Sequence, residues 1–363
     1  MLSRRQAIAT GAGLIGALAG ETAFAQSPLA TAASRLFGTS ERVPFGACVR
    51  PIPLDAEIDY RVALIDHCQQ LTPEGGLFWG YLRPARNQFK FDFADGILEF
   101  TQKNNMTMRG HTLVWYGDMP EWTKEIANAR EAERELVTHI EKVVSRYRGK
   151  IKTWHVVNEP IDDSKGSVPG LRPSIWLQHL GERYLDLAFK TARQADPACE
   201  LVINEYDIES VDEVQPKKRQ AFLKLIRDLK ARGVPLHGVG LQGHIRGQLP
   251  IDRDGLHTFV SELRALGLSV HVTELDVIDD QLPAPVAVRD AIIATRVHDF
   301  LDPIFAAGRP AVVACWGITD RHTWVPIFCK RKDGLPNRPL PFDANCRPKP
   351  FWNVVDYFCG KTA

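Results

Sequence analysis

Almost no net charge is left over in this sequence: 45 lysines and arginines stand against 44 aspartates and glutamates, a formal +1 over 363 residues. Neither a nucleic-acid-binding face nor a strongly acidic partner is expected from that balance. Cysteine is sparse and scattered. Cys48, Cys68, Cys199, Cys315, Cys329, Cys346 and Cys359 form no C-x-x-C pair, which excludes the common zinc and haem patterns. Their odd number leaves at least one unpaired, and an oxidising compartment would permit a bridge between Cys329 and Cys346. Among the histidines near candidate strands, His111, His155, His237, His244 and His271, there is no H-x-H or H-x-x-x-H pair. No metal and no cofactor are expected. After the first 25 residues no apolar run is long enough to span a bilayer. Internal repeats, low-complexity tracts and a linker to a second domain are lacking too.

What is present begins with an address. Ser3-Arg4-Arg5-Gln6-Ala7 carries a twin arginine, a Gly- and Ala-rich apolar stretch follows, and Ala23-Phe24-Ala25 fits an A-x-A cleavage site. Residues 1–25 are expected to direct export to the periplasm or the medium, with no membrane attachment after cleavage. Residues 26–363 are expected to form one monomeric catalytic domain.

Short apolar runs ending in polar residues alternate with helical stripes. The runs lie at Phe45–Val49, Gly76–Gly80, Thr107–Trp115, Thr153–Asn158, Glu200–Asn204, Gly238–Gln242, Ser269–Thr273 and Ala311–Gly317. Trp176, Leu177, Leu180, Tyr184 and Ala188 recur at the helical period, as do Ala221-Phe222, Leu225 and Leu229, and Phe259, Leu263 and Leu266. Leu335–Pro341 reads as a loop before a last helix starting near Pro350. Eight βα units predict a closed parallel (β/α)₈ barrel, an α/β TIM barrel. In that fold, function sits at the carboxyl ends of the strands, so a polar residue there is a site candidate.

Two glutamates meet that condition. The fourth run ends in Asn158-Glu159-Pro160 and the seventh in Glu274-Leu275-Asp276. Strands four and seven lie across the barrel mouth. Two converging carboxyl groups with separated pKa values suit glycoside hydrolysis, one protonating the leaving oxygen and the other attacking the anomeric carbon. Around them, Asn158 can bond a sugar hydroxyl. Gln242 and His244 end the sixth strand, where the imidazole can hold the neighbouring carboxylate. Trp316 and Trp324 offer ring faces to the apolar C–H patches of sugars.

These residues sit in motifs that resemble glycoside hydrolase family 10, the endo-β-1,4-xylanase family. G-H-T-L-V-W runs from Gly110 to Trp115, W-x-V-x-N-E from Trp154 to Glu159, and a helix signature from Ser174 to Pro197. N-E-Y-D spans Asn204 to Asp207, G-x-x-x-Q-G-H spans Gly238 to His244, and T-E-L-D spans Thr273 to Asp276. W-G-x-T-D…W runs from Trp316 to Trp324, and F-D-x-N…P-K-P from Phe342 to Pro350. The resemblance covers nearly all of the chain after residue 25. It implies a retaining double displacement on xylan, with Glu159 as acid/base and Glu274 as nucleophile. It also implies Glu74, His111, Trp115, Tyr116, Asn158, Gln242, His244, Trp316 and Trp324 at the polysaccharide or oligosaccharide substrate.

Three positions depart from the family pattern. Where relatives read T-P-E-N-x-x-K-W, this chain has Thr72-Pro73-Glu74-Gly75-Gly76-Leu77-Phe78-Trp79, and the histidine expected after L-V-W is Tyr116. Each lost polar group would contribute roughly 1–3 kcal/mol of sugar recognition. A different β-glycan or a substituted oligosaccharide is therefore the alternative substrate, and an inactive carbohydrate-binding protein a more distant reading. Gly238-Val239-Gly240-Leu241-Gln242-Gly243 also matches the dinucleotide fingerprint G-x-G-x-x-G, but a loop follows it where a helix would have to open.

Overall fold

In a computed structural model, which describes residues 42–163 and 170–360, eight strands form the wall of the barrel. They are β1 (Phe45–Val49), β2 (Gln70–Pro73), β3 (Thr107–Val114), β4 (Thr153–Asn158), β5 (Glu200–Glu205), β6 (Gly238–Leu241), β7 (Ser269–Ile278) and β8 (Val313–Cys315). All pairings are parallel, in chain order, with β8 against β1 and β6 against β7 closing the ring. β1 and β4 are buried at every position, as expected of strands covered by helices outside and by barrel contents inside. A further short strand, His244–Arg246, continues β6 after a break and pairs with the outer half of β7. Gly243 makes that break with φ +74, a conformation that costs a side-chain-bearing residue energy.

The helices follow the strands on the outside. Helix Ala129–Arg146 shows how the sequence specifies one. Asn128 accepts the Glu131 N–H at its start, a cap worth about 1 kcal/mol, and Leu136, Ile140, Val143 and Val144 face the barrel. The last helix is Pro350–Gly360. None of the described helices is long and apolar enough to cross a membrane.

The barrel interior is partly polar. Towards the amino ends of the strands, Arg109 donates to Gln70 Oε1 at 2.8 Å, to His155 Nε2 at 3.0 Å and to His271 Nδ1 at 2.9 Å. His271 Nε2 reaches Glu200 at 3.2 Å and Ser269 at 2.9 Å. All of these side chains except Glu200 and Ser269 are almost wholly buried, and each one buried has a hydrogen-bonding partner, which is the condition for burying it.

Two expectations are corrected, and the bridge left open between Cys329 and Cys346 is absent. The second strand is Gln70–Pro73, not Gly76–Gly80. The latter segment is a turn leading into the short helix Trp79–Leu82, because Glu74 already hands the chain out of the sheet and Gly75 turns it with φ +87. The stripe from Trp176 to Ala188 belongs to two helices, Ile175–Leu180 and Arg183–Ala195, separated at Gly181. Cys329 and Cys346 are not bridged; all seven cysteines are free. The export segment expected over residues 1–25 lies outside the described residues.

Candidate active site

β4 delivers Glu159 to the carboxyl end of the barrel. Its backbone adopts φ +55, rare for a non-glycine residue, and is tied down by its own N–H to Asn204 O at 2.8 Å. Strain of this kind persists where the surroundings over-determine it, and it clusters at functional positions. One carboxyl oxygen accepts from Trp115 Nε1 at 2.8 Å; the other accepts from Asn158 Nδ2 at 3.0 Å and Gln242 Nε2 at 3.1 Å. Withdrawal from water raises this carboxyl above the ordinary glutamate value of 4.5, and the nearby Glu274 charge adds to the rise against the bonds from Trp115 and Gln242.

β7 delivers Glu274, which is 3% exposed. Its Oε1 accepts from Asn204 Nδ2 at 2.7 Å, and its Oε2 faces His244 Nε2 at 3.2 Å. Burial alone would raise this group too. The charged His244 imidazole and the Asn204 amide oppose that, and the carboxyl stands below 4.5. His244 is itself drawn well above its ordinary range. Burial opposes its charge, but Asp276 at 2.9 Å and Glu274 overcome that penalty. Asp276 is in turn fixed by Trp324 Nε1 at 2.7 Å.

Amides knit the two carboxyl groups together. Asn204 Nδ2 donates to Asn158 Oδ1 at 2.8 Å as well as to Glu274, while its Oδ1 accepts from Thr273 at 2.8 Å. Gln242 Nε2 donates to both Asn158 Oδ1 and Glu159. Both amide hydrogens of Asn204 and both of Gln242 have acceptors, which fixes the orientation of those two side chains. The arrangement can hold one carboxyl protonated and one ionised on either side of a sugar.

The space between them is a cleft of about 380 Å³, lined among others by Glu74, Phe78, His111, Trp316, Trp324 and the exposed Phe328. A second space of about 890 Å³ adjoins it and shares Glu74, Phe78 and Trp115. Glu74 is clamped by Arg50 through bonds of 2.7 and 2.6 Å. The Phe78 ring packs on His111 and Trp115 with centroids 5.5 and 5.1 Å away. Tyr116 is 40% exposed and stands on the other neighbour of Trp115, under the Arg172 guanidinium at 4.6 Å. Phe78 and Tyr116 thus flank Trp115 instead of crowding one another.

The sequence-predicted residues Glu159, Glu274, Asn158, Gln242, His244, His111, Trp115, Trp316, Trp324 and Glu74 meet at this cleft, while Tyr116 sits at its border. Sequence reasoning missed Asn204, the central donor, although it is a polar residue near the end of β5 and so met the same condition as Glu159. It also missed Asp276, and the buried pair Lys218–Glu205 at 3.0 Å near Glu159. Lys218 comes from a helix, where nothing in the sequence distinguishes it from a solvated lysine.

Residues 35–357 match the model of glycosyl hydrolase family 10. The chain belongs to this family. Among its family 10 relatives, endo-1,4-beta-xylanase B of Paenibacillus barcinonensis is 34% identical over 325 residues, covering 85% of this chain and 94% of that one. The endo-1,4-beta-xylanase of Geobacillus stearothermophilus is 33% identical over 326 residues, covering 86% and 94%. The crystal structure of xylanase 10B from Thermotoga petrophila in complex with xylobiose superposes with a TM-score of 0.79 at 28% identity, over 90% of this chain and 96% of that one.

Proposed function

We propose that this family 10 chain is a retaining endo-1,4-β-xylanase with Glu159 as general acid/base and Glu274 as nucleophile. The observation that carries the reading is the convergence of two carboxyl groups on one cleft, joined through Asn158, Asn204 and Gln242, with Glu159 displaced upward and Glu274 downward. Glu274 attacks the anomeric carbon as Glu159 gives its proton to the departing glycosidic oxygen. Glu159, now ionised, takes a proton from water, which attacks the anomeric carbon from the face the leaving group vacated, opposite Glu274, and so displaces Glu274 and restores both groups. His244, charged and held by Asp276, steadies the nucleophile before attack and its release afterwards. Proton NMR of xylan during digestion is the test. The first-formed reducing ends should be β-anomers of internal oligosaccharides; α-anomers would sink the double displacement.

The apolar face of Phe78 and the open turn at Gly75 favour a second reading of the substrate, a β-glycan substituted near its glycone end. A Cβ at Gly75 would meet nothing within 4 Å, so no neighbour replaces the missing side chain. Changing Phe78→Lys together with Tyr116→His should raise kcat/KM on unsubstituted xylo-oligosaccharides by about tenfold, ~1.4 kcal/mol. Gly75 is best left alone, since φ +87 strains any side chain there. Steady-state kinetics on linear and substituted oligosaccharides decide between the readings. If the original chain already cleaves the linear ones as well as the variant, the departures are neutral and the second reading falls.

A further inference from the structure

His111 and His155 face each other inside the barrel mouth with their Nδ1 atoms 2.7 Å apart. A contact that short is a hydrogen bond, so exactly one of the two nitrogens carries the proton. Arg109 decides which. Its guanidinium can only donate, and it points NH1 at His155 Nε2 from 3.0 Å. That nitrogen must therefore present a lone pair. A neutral His155 then carries its proton on Nδ1 and donates to His111 Nδ1. His111 in turn keeps its own proton on Nε2. The opposite arrangement would set two N–H groups against each other at 3.0 Å in a fully buried place.

We propose that Arg109 and His155 are positioning residues that lock His111 as a neutral imidazole with its Nε2–H free to donate into the cleft. The Nε2 of His111 has no protein partner among the described residues and the ring lines the cleft, while Nδ1 lies 3.8 Å from Glu274 Oε1, beyond hydrogen-bonding reach. Its ligand is an acceptor oxygen of the bound sugar, a hydroxyl or the ring oxygen. This inference rests on the hydrolase reading only for that last consequence.

The surroundings agree with a neutral ring. The charged or titratable groups facing His111 are Glu274, Arg109, His155 and His244, with the Phe78 and Trp316 rings completing the wall. Burial is the largest influence and lowers the imidazole to about 4; Glu274 opposes this, and the Arg109 and His244 charges reinforce it. The lock also bears on cations. His111, His155 and Glu274 bring ligand atoms within 4.8 Å of one another, a set that resembles a metal seat. A cation would need lone pairs on both Nδ1 atoms, which moves the His155 proton to Nε2, against the Arg109 N–H. The chain of donors set by Arg109 therefore works against a cation there.

Long-range ¹H–¹⁵N correlation spectra of the full chain labelled with ¹⁵N-histidine test this without substrate. In the unchanged protein His111 should show a protonated Nε2 and a bare Nδ1, constant between about pH 5 and 8. Replacing His155→Asp puts a pure acceptor at that place, so His111 should become doubly protonated and titrate within that window. A proton on Nδ1 of His111 in the unchanged protein overturns the proposal, and that spectrum suffices if the variant does not fold. So does a His111 signal that His155→Asp leaves untouched. Since the tautomer is read in the free protein, its failure would leave the hydrolase reading standing.

Discussion

Glu274→Ala abolishes turnover of every β-glycoside offered, by at least about four orders of magnitude in kcat. The loss is independent of the leaving group, because without the carboxylate no covalent glycosyl intermediate forms. The fold should tolerate the change. Glu274 accepts from Asn204 and His244, and Asp276 remains 2.9 Å from His244 to keep that imidazolium paired after the nucleophile is gone. An aryl xyloside assay with thermal unfolding of the same sample checks both halves. A modest loss of activity in a folded variant would remove Glu274 from the nucleophile's place.

Glu159→Ala behaves differently with each leaving group. On unactivated xylo-oligosaccharides the loss should be on the order of 10²–10⁴-fold, the usual worth of a positioned acid. On an aryl glycoside whose phenolate leaves without a proton, glycosyl transfer to Glu274 should be nearly unimpaired. The intermediate then accumulates for want of a base to activate water, and added azide should release it as the glycosyl azide. The pH profile follows from the directions of the two shifts. Glu159 lies above 4.5, so activity should fall as pH rises through its displaced value; Glu274 lies below 4.5, so activity should fall only as pH drops beneath that. Glu159→Gln, assayed on the aryl substrate, should lose the basic limb and keep the acidic one. Equal losses on activated and unactivated substrates would refute Glu159 as the acid.

Much of this site was legible because a parallel barrel turns sequence position into spatial position. Asn158-Glu159 closes β4, Glu274 sits on β7 where its pairing passes from β6 to the short strand His244–Arg246, and Gln242 and His244 straddle the break in β6. The errors have local causes. Leu71-Thr72-Pro73 is too short a run to outweigh the apolar residues Leu77, Phe78 and Trp79 downstream, so the second strand was placed after the turn instead of before it. Trp176 to Ala188 keeps its helical period across Gly181, and periodicity alone does not register a break. The lock on His111 was beyond reach for a different reason. It depends on two nitrogens meeting across adjacent strands, and strand pairing sets that distance, not spacing along the chain.

Trp324 links two properties that protein engineers like to vary separately. The loop after β8 places its ring at the cleft, and the same indole N–H anchors Asp276, which holds His244 against Glu274. Exchanging that loop to widen the range of accepted glycans therefore also removes a bond from the carboxylate that holds His244 beside Glu274. Changes at Trp324 and at Asp276 should therefore be non-additive in their effects on turnover.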